Sequence, residues 1–545
     1  MIEKGQDMQK ARNFSEFEAF YSLFKPLTPY GRADKEKRQF FNELSGLKKE
    51  YSHIEAMIPI MSDKTAKDKL RYHLKNIPML DLDYPIEPSA AELFLARKFL
   101  HNVKDIFEML PDSTKTLFDA KWDSDALIAL LDKGGDGEAF HIADCYSREL
   151  AAKRREIQVV DSKIQEIRQN CFKNILEKYG LDFSDRDFLV MLEKNYATFG
   201  IQHDLYAEPY DFGRLIVKPV FGNDYLSCSA QRDRLRSQEA AIEKAVIMDL
   251  TKSVNADREN LVSYRDIVLR IDLAAEKARL AIDYDMIRPQ ISELKKNGKQ
   301  DCHITLKKAN FIPLQSVLKK KDMEYTPFSA DFTRKINILY GSNMGGKTVA
   351  LKTFVFFQLL AQSGFYVPAE EFSTIIFNGI CFIGGDGVEA SGGLSSFGVE
   401  MNDFIKACGV LDKGSALFIM DEFARTTNSE EGAALLGSIL HWLEGQPGAF
   451  VFLATHLSGI NAPKDTSWFR MKGFDKDSFG KFFEEKPKAC LEEKLKSINR
   501  FMRYEMLPGS SENESRDAIK IAGILGVNEE IIRGAEKIIS NEQLL

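Results

Sequence analysis

A glycine-rich segment ending in Lys-Thr places the strongest constraint on what this chain can fold into. The segment follows the apolar run 336–340, precedes residues of helical composition and comprises Gly341, Ser342, Asn343, Met344, Gly345, Gly346, Lys347 and Thr348. A strand, a GxxxxGK[ST] loop and a helix, in that order, are typical of a phosphate-binding P-loop, or Walker A motif. Glycines let backbone N–H groups approach phosphate oxygens, and the helix N-terminus adds partial positive charge. The pattern predicts a bound nucleoside triphosphate, with Lys347 on its β- and γ-phosphates and the Thr348 hydroxyl on Mg²⁺.

The overall composition narrows the class of protein. A chain of 545 residues has room for about three or four domains. A net charge of −7 gives no global attraction to nucleic acid, although a local basic channel is compatible with an acidic total. The seven scattered cysteines include no CxxC pair, which indicates reduced thiols rather than a zinc site or disulfides. The N-terminus has no signal-peptide pattern and the most apolar helix-like stretch, 354–360, is too short to span a membrane, so we expect a cytoplasmic protein without a membrane partner.

The texture of the sequence changes near residue 290. Before it, Lys, Glu and Leu dominate, and apolar residues recur at helical spacing over 149–179 and 261–288, with a small strand-containing insertion at 206–228. After it, short β-runs alternate with helices, which predicts a mainly parallel sheet covered by helices. The predicted strands are 336–340, 375–383, 416–420 and 450–454, and the predicted helices follow Thr348, Ser396 and Ser429.

These regions, together with the family resemblance described below, predict a multidomain chain in which an α-helical core and lever region precedes an α/β P-loop ATPase domain with a short helical tail. We place the helical core at 1–130, the long lever or clamp helices with their insertion at 131–290, and the ATPase domain with its tail at 291–545.

Two further strand ends carry residue types suited to nucleotide chemistry. The apolar run 416–420 ends in Asp421 and Glu422, a Walker B pattern that places Asp421 near Mg²⁺ and Glu422 where it orients a water at the γ-phosphate. The run 450–454 ends in Thr455 and His456, and the His456 imidazole is suited to sensing the γ-phosphate. We therefore expect Glu422, His456 and Lys347 to act in catalysis, and Thr348 and Asp421 to ligate the metal.

A second glycine-rich turn, 392–398, contains two serines and opens another helix, so it supplies further donors suited to phosphate. If this helix N-terminus and the P-loop lie on opposite sides of the domain, one chain cannot bring both to a single γ-phosphate. A partner subunit can.

With these residues in place, the chain resembles the MutS-family ATPases, a branch of the ABC class. The similarity is tight over roughly 325–540 and looser over 20–290. It rests on the P-loop, the segment Ser395-Ser396-Phe397-Gly398-Val399-Glu400-Met401, the Asp421-Glu422 strand end and Ala454-Thr455-His456. Tyr504 to Gly509 resembles the family's closing strand, and Thr28-Pro29-Tyr30-Gly31-Arg32 resembles a turn that precedes a long helix in its helical core.

The resemblance implies further roles by position. ATP-Mg²⁺ would be held by Asn343, Gly345, Gly346, Lys347 and Thr348, Ser395 would reach the nucleotide of a partner subunit in a homodimer, and Tyr325 stands where the family has an aromatic residue stacked on adenine. Two departures concern the loops: Ser342 replaces the usual proline, and Ala424 to Asn428 lacks the family's glycines, which stiffens that loop.

The larger departure is at the front of the chain. Mismatch-reading members carry a Phe-x-Glu wedge domain ahead of the core, whereas the core-like segment here starts near residue 20. Phe14-Ser15-Glu16 matches the three letters, but a chain with 39 Phe contains such matches by chance.

Two functions of different classes follow from the resemblance. The first is a DNA-structure-related ATPase that closes helical arms around DNA, bound non-specifically or as a branched shape, without reading mismatches. The alternative is an ATP-driven factor that remodels a protein client, such as a cobalamin-dependent lysine aminomutase. The sequence does not name the client.

Overall fold

The computed structural model describes residues 3–134, 142–184, 186–201, 203–294, 303–320, 325–341, 346–384, 396–425, 427–475, 478, 502–509, 519, 522–523 and 527–542. Two compact units share these residues. Unit 1 comprises residues 1–72, 111–118 and 269–545, and unit 2 comprises 73–110 and 119–268. The units therefore group the chain differently from the three predicted segments, because the first 72 residues belong with the ATPase sheet.

Helices make up most of the chain before residue 290 and alternate with strands after it. In chain order they are α1 Glu3–Phe14, α2 Phe17–Tyr21, α3 Pro29–Lys35, α4 Leu44–Ser62, α5 Lys64–Asn76, α6 Ala90–Met109, α7 Asp112–Phe118, α8 Asp125–Leu131, α9 Arg148–Tyr179, α10 Glu193–Ala197, α11 Asn223–Ala256, α12 Arg258–Asp283, α13 Ile312–Lys320, α14 Lys347–Gln362, α15 Ser396–Leu411, α16 Ser429–Glu444 and α17 Glu529–Glu542. Short 3₁₀ turns lie at Asp132–Gly134 and Asp144–Tyr146.

The strands form three sheets within the described residues. They are β1 Leu189–Leu192, β2 Leu205–Asp211, β3 Arg214–Pro219, β4 Gln290–Ser292, β5 Ile304–Ala309, β6 Phe328–Phe332, β7 Ile336–Tyr340, β8 Glu371–Ile375, β9 Gly379–Gly384, β10 Ala416–Asp421, β11 Ala449–Thr455, β12 Thr466–Phe474 and β13 Met502–Pro508. Their orders are β1-β3-β2, β13-β12-β7-β11-β10-β9 and β4-β8-β5-β6.

The six-stranded sheet of unit 1 is mainly parallel, as predicted. β12, β7, β11, β10 and β9 run parallel to their neighbours, and only the edge strand β13 is antiparallel. Every residue of β7 and β11 is buried, so these strands read as continuous apolar runs rather than as an alternation. One predicted strand is wrong: 375–383 is divided between β8 and β9, which belong to different sheets.

The two faces of this sheet are covered by different helices. On one side, Phe354 of α14 packs against Phe452 of β11 and Phe332 of β6, with ring centroids 5.3 and 5.4 Å from that of Phe354. On the other side, Leu436 and Leu440 of α16 join a fully buried apolar cluster with β10 and β11. The centre of the sheet is thus buried on both faces, and polar residues lie at the ends of its strands.

The N-terminal helices pack onto the same core. The Phe14 ring stacks on the Phe382 ring of β9 at a centroid distance of 4.0 Å, and Lys352 of α14 pairs with Glu16 at 2.7 Å. Phe20 packs edge-on against Phe356 of α14 at 5.7 Å. Phe14 and Glu16 are therefore both engaged in contacts within unit 1.

The contacts of the turn at Thr28 account for the residues found there. The Thr28 hydroxyl accepts from the Gly31 N–H at 2.9 Å as the N-cap of α3, and it donates to the Asp272 carboxylate at 2.7 Å. A Cβ on Gly31 would overlap that carboxylate, so glycine is required. The helix that follows is shorter than expected, since α3 has seven residues and the long helix α4 starts only after a loop.

Unit 2 is built on two long helices and a small sheet. α9 has 32 residues and α11 has 34, so each is about 50 Å long. Ile157, Val160 and Ile164 of α9 pack against Leu235 of α11. The sheet β1-β3-β2 lies between the two helices in sequence, and Val217 and Leu205 pack on Ile175 near the end of α9. The predicted insertion at 206–228 overlaps this sheet, whose strands start at residue 189, and α11 already begins at 223.

Candidate functional site

The P-loop joins β7 to α14 through two glycines in the left-handed region. Gly341 has φ 139° and Gly346, the N-cap of α14, has φ 87°, values that side-chain-bearing residues rarely adopt. The strand β7 and the helix α14 thus flank the glycine-rich segment. The intervening residues Ser342, Asn343, Met344 and Gly345 lie outside the described residues, so their predicted phosphate contacts remain predictions.

Lys347 lies at the first position of α14 and is buried, with 2% of its surface exposed. Its Nζ donates to the Gly341 carbonyl oxygen across the loop. Burial lowers the pKa of the Lys347 ammonium, while the nearby Glu422 and Asp421 carboxylates oppose that shift. A buried cation at the N-terminus of a helix is suited to receiving a polyanion.

Asp421 ends β10 and faces the start of α14. The Thr348 hydroxyl lies 3.5 Å from the Asp421 Oδ1, and burial raises the pKa of the Asp421 carboxyl. The end of β9 approaches closely here, because a Cβ on Gly384 would overlap the Asp421 carbonyl. Two hard oxygen donors at this separation fit one Mg²⁺, which binds one or two protein oxygens and takes its other ligands from phosphates and water.

Glu422 is held next to His456. The Glu422 backbone has φ 53°, and its N–H donates to the Ala454 carbonyl at 2.9 Å. Its carboxylate lies 3.6 Å from the His456 Nδ1 and 3.1 Å from an Arg425 guanidinium nitrogen. The Glu422 side chain is 14% exposed and that of His456 is 42% exposed. The pair therefore lies at the edge of the site, where water has access.

Helix α15, which follows the second glycine-rich segment, contacts the loop after β10. The contact is made by Glu400, a residue to which the sequence analysis gave no role. Ser395 lies outside the described residues, and α15 begins at Ser396. One turn further, the buried Glu400 carboxylate accepts from the Ala424 N–H at 2.8 Å. The available signal was an acidic residue inside an apolar helix, but its partner is a backbone group that the sequence does not identify.

The Tyr325 hydroxyl is hydrogen-bonded to the protein backbone. Its hydroxyl accepts from the Phe311 N–H at 2.8 Å and lies 3.4 Å from the Ala309 carbonyl, and burial raises the pKa of the Tyr325 phenol to about 12. The predicted stacking of its ring on adenine stays a prediction.

The structure therefore brings Lys347, Thr348, Asp421, Glu422 and His456 together at the carboxyl ends of β7, β10 and β11. In open parallel sheets this edge is where ligands bind. An α/β domain with this set of side chains is typical of the P-loop nucleotide-binding class.

Comparison with known proteins narrows that class. Residues 337–542 match the family described as MutS domain V. A protein named Endonuclease MutS2 from Acetivibrio thermocellus is 27% identical over 416 residues, which cover 74% of this chain and 47% of that protein. Proteins of the same name from Lactobacillus acidophilus and Halothermothrix orenii are 27% and 25% identical over 420 and 451 residues, covering 75% and 81% of this chain and 47% and 51% of theirs.

The chain is therefore similar to MutS-family proteins, and the similarity to MutS domain V covers residues 337–542. The chain spans about half the length of the relatives given above. Among the described residues, no helix combines the length and apolar character needed to cross a bilayer.

Proposed function

We propose that this chain is a MutS-type ATPase that binds ATP with Mg²⁺ at the P-loop and hydrolyses it. The observation that carries the proposal is the convergence of a buried lysine, a hydroxyl–carboxylate pair and a second carboxylate at one edge of a parallel sheet. The family match over the same residues supports it.

Each residue has a role that its position allows. Lys347 would exchange the Gly341 carbonyl for the β- and γ-phosphates, and Thr348 and Asp421 would hold Mg²⁺. Bound Mg²⁺ would neutralise charge on the phosphate oxygens. Glu422 orients the attacking water, and His456, beside it, contacts the γ-phosphate or the Glu422 carboxylate according to the nucleotide state.

We further propose that the site is completed across a homodimer. The glycine-rich segment before α15 would supply Ser395 to the nucleotide of the partner subunit, in an isologous pair of ATPase domains. Hydrolysis would then be coupled to movement of the long helices α9 and α11. The client we favour is DNA, because the relatives given above are named endonucleases. Cleavage itself is not carried over, since that name belongs to proteins of which this chain spans about half. None of the observations above favours the protein-remodelling alternative.

Replacing Lys347 with alanine tests the proposal. We expect Lys347→Ala to abolish ATP binding, measured by titration with a fluorescent ATP analogue, because the buried cation that receives the phosphates is lost. Lys335→Ala is the matched control, since Lys335 precedes β7 at its opposite end and donates to the Gln446 carbonyl at 3.2 Å. Unchanged binding in Lys347→Ala would refute the assignment.

Mixing variants tests the composite site. In heterodimers of Lys347→Ala and Ser395→Ala chains, one of the two sites retains both residues, so ATP turnover should recover in part. Absence of recovery in heterodimers shown to form would assign Ser395 to its own chain or require both sites to act together.

A further inference from the structure

The loop that carries Glu422 has an uncommon backbone. Glu422 has φ 53° and Ala424 has φ 61°, so two residues with side chains occupy the left-handed region within three positions. Such conformations are unfavourable for residues other than glycine and persist only where surrounding contacts determine them. The question is which contacts hold this loop.

Helix α15 supplies two of them. The Glu400 carboxylate accepts from the Ala424 N–H at 2.8 Å, and the Phe404 ring lies 6.4 Å from the fully buried Phe423 ring between the two left-handed residues. Glu400 and Phe404 are one turn apart, so a single face of α15 grips the loop.

The hydrogen bond from the Ala424 N–H is the main polar contact of the Glu400 carboxylate. Glu400 is 7% exposed, and burial raises the pKa of its carboxyl, with Arg425 opposing the shift and Asp403 adding to it. Asp403 is equally buried on the same helix, but it pairs with Lys10 of α1 at 2.6 Å. The two acids of α15 thus have separate partners, one in the catalytic loop and one in the N-terminal helix.

We propose that Glu400 is a positioning residue, which holds the Glu422 carboxylate in place by fixing the Ala424 amide of its own chain. Because Glu400 lies one turn after the N-terminus of α15, a displacement of that helix end moves the Ala424 amide and with it Glu422. Contact of a partner's nucleotide with the start of α15 is thereby transmitted to the water-orienting residue of the chain that owns α15. The inference depends on the proposed ATPase activity.

The test compares Glu400→Ala, Glu400→Gln and Asp403→Asn in the full-length chain. Glu400→Ala should lower kcat about tenfold or more while the Kd for ATP stays within about twofold, because a small misplacement of a catalytic group is costly to the rate alone. It should also speed hydrogen exchange in peptides containing Ala424. Glu400→Gln keeps a carbonyl acceptor and should restore kcat to near the wild-type value. Asp403→Asn, the control for loss of a buried charge on α15, should leave kcat unchanged.

Three outcomes would overturn the inference: wild-type kcat in Glu400→Ala, equal losses of rate and affinity, or a Glu400→Gln chain as slow as Glu400→Ala. Its failure is distinct from that of the proposed function, in which the wild-type chain itself would show no turnover that depends on Lys347.

Discussion

The P-loop edge of unit 1 and the long helices of unit 2 use charged residues in opposite ways. At the P-loop edge, Lys347, Asp421 and Glu422 are crowded together, and burial lowers the pKa of the lysine and raises that of the aspartic acid. Each shift means that the protein environment disfavours the charged form. Charges held at such a cost are typical of a site that binds a charged ligand.

The long helices show the reverse. Arg154 of α9 donates to Glu239 and Glu243 of α11 and to Asp144, and hydrogen bonds to these carboxylates raise the pKa of the guanidinium, with Glu239 contributing most. Here the charges satisfy one another within the chain. The difference shows that the basic run 153–155 does not by itself indicate a DNA-binding surface. Buried charged residues crowded together at strand ends, by contrast, indicate a site that binds a ligand or carries out a reaction.

The largest effect that sharpens this contrast is expected at Glu422. Glu422→Gln removes the charge that we propose orients the water but keeps the shape of the side chain, so ATP binding should persist while kcat falls by roughly 100-fold or more. Steady-state turnover together with equilibrium ATP binding measures the two separately. Glu430→Gln, which changes an exposed residue in the first turn of α16, is the matched control. Turnover at the wild-type rate in Glu422→Gln would show that another group orients the water.

Much of the site was predictable because it is encoded in contiguous residues. The order of β7, loop and α14, and the acids at the end of β10, follow from local patterns that specify both the backbone and the chemistry. By contrast, the run 375–383 was predicted as a single strand although Asn378 and Gly379 interrupt its apolar residues, and the chain passes from one sheet to another at 376–378.

Contacts between distant parts of the chain could not be predicted from local patterns. Nothing in the sequence of α1 shows that Phe14 stacks on Phe382 or that Lys10 pairs with Asp403. Glu400 was visible as an acid in an apolar helix, but its partner is a backbone amide, which is the same for every residue type except proline.

A moderate effect, on stability alone, is expected at Arg154. Arg154→Ala removes hydrogen bonds to three acids and should cost about 1 kcal/mol locally, since the side chain is partly exposed. Hydrogen exchange in α9 and α11 should quicken, with ATP turnover unchanged. Arg155→Ala is the control: Arg155 is the exposed neighbour and has no ion pair within the described part of the chain. If Arg154→Ala instead abolished turnover, the contrast would be wrong: the ion pairs between α9 and α11 would then be needed for activity as well as for stability.

The smallest expected effect concerns DNA. Reading a mismatch requires an apolar wedge in the base stack, at a cost of roughly a few kcal/mol that specific contacts must offset. The Phe14-Ser15-Glu16 match is occupied, because Phe14 stacks on Phe382 and Glu16 pairs with Lys352. A net charge of −7 adds no long-range attraction to phosphate. We therefore expect affinities for G·T-mismatched and matched duplexes to agree within about twofold, and any DNA binding to weaken steeply with salt, as counterion release requires.

Fluorescence anisotropy over a salt series, with a four-way junction as a third substrate, measures both the mismatch preference and the salt dependence. Phe14→Ala provides the direct check on the wedge. A tenfold preference for the mismatch that Phe14→Ala removes would show that this phenylalanine leaves its stack on β9 to enter DNA.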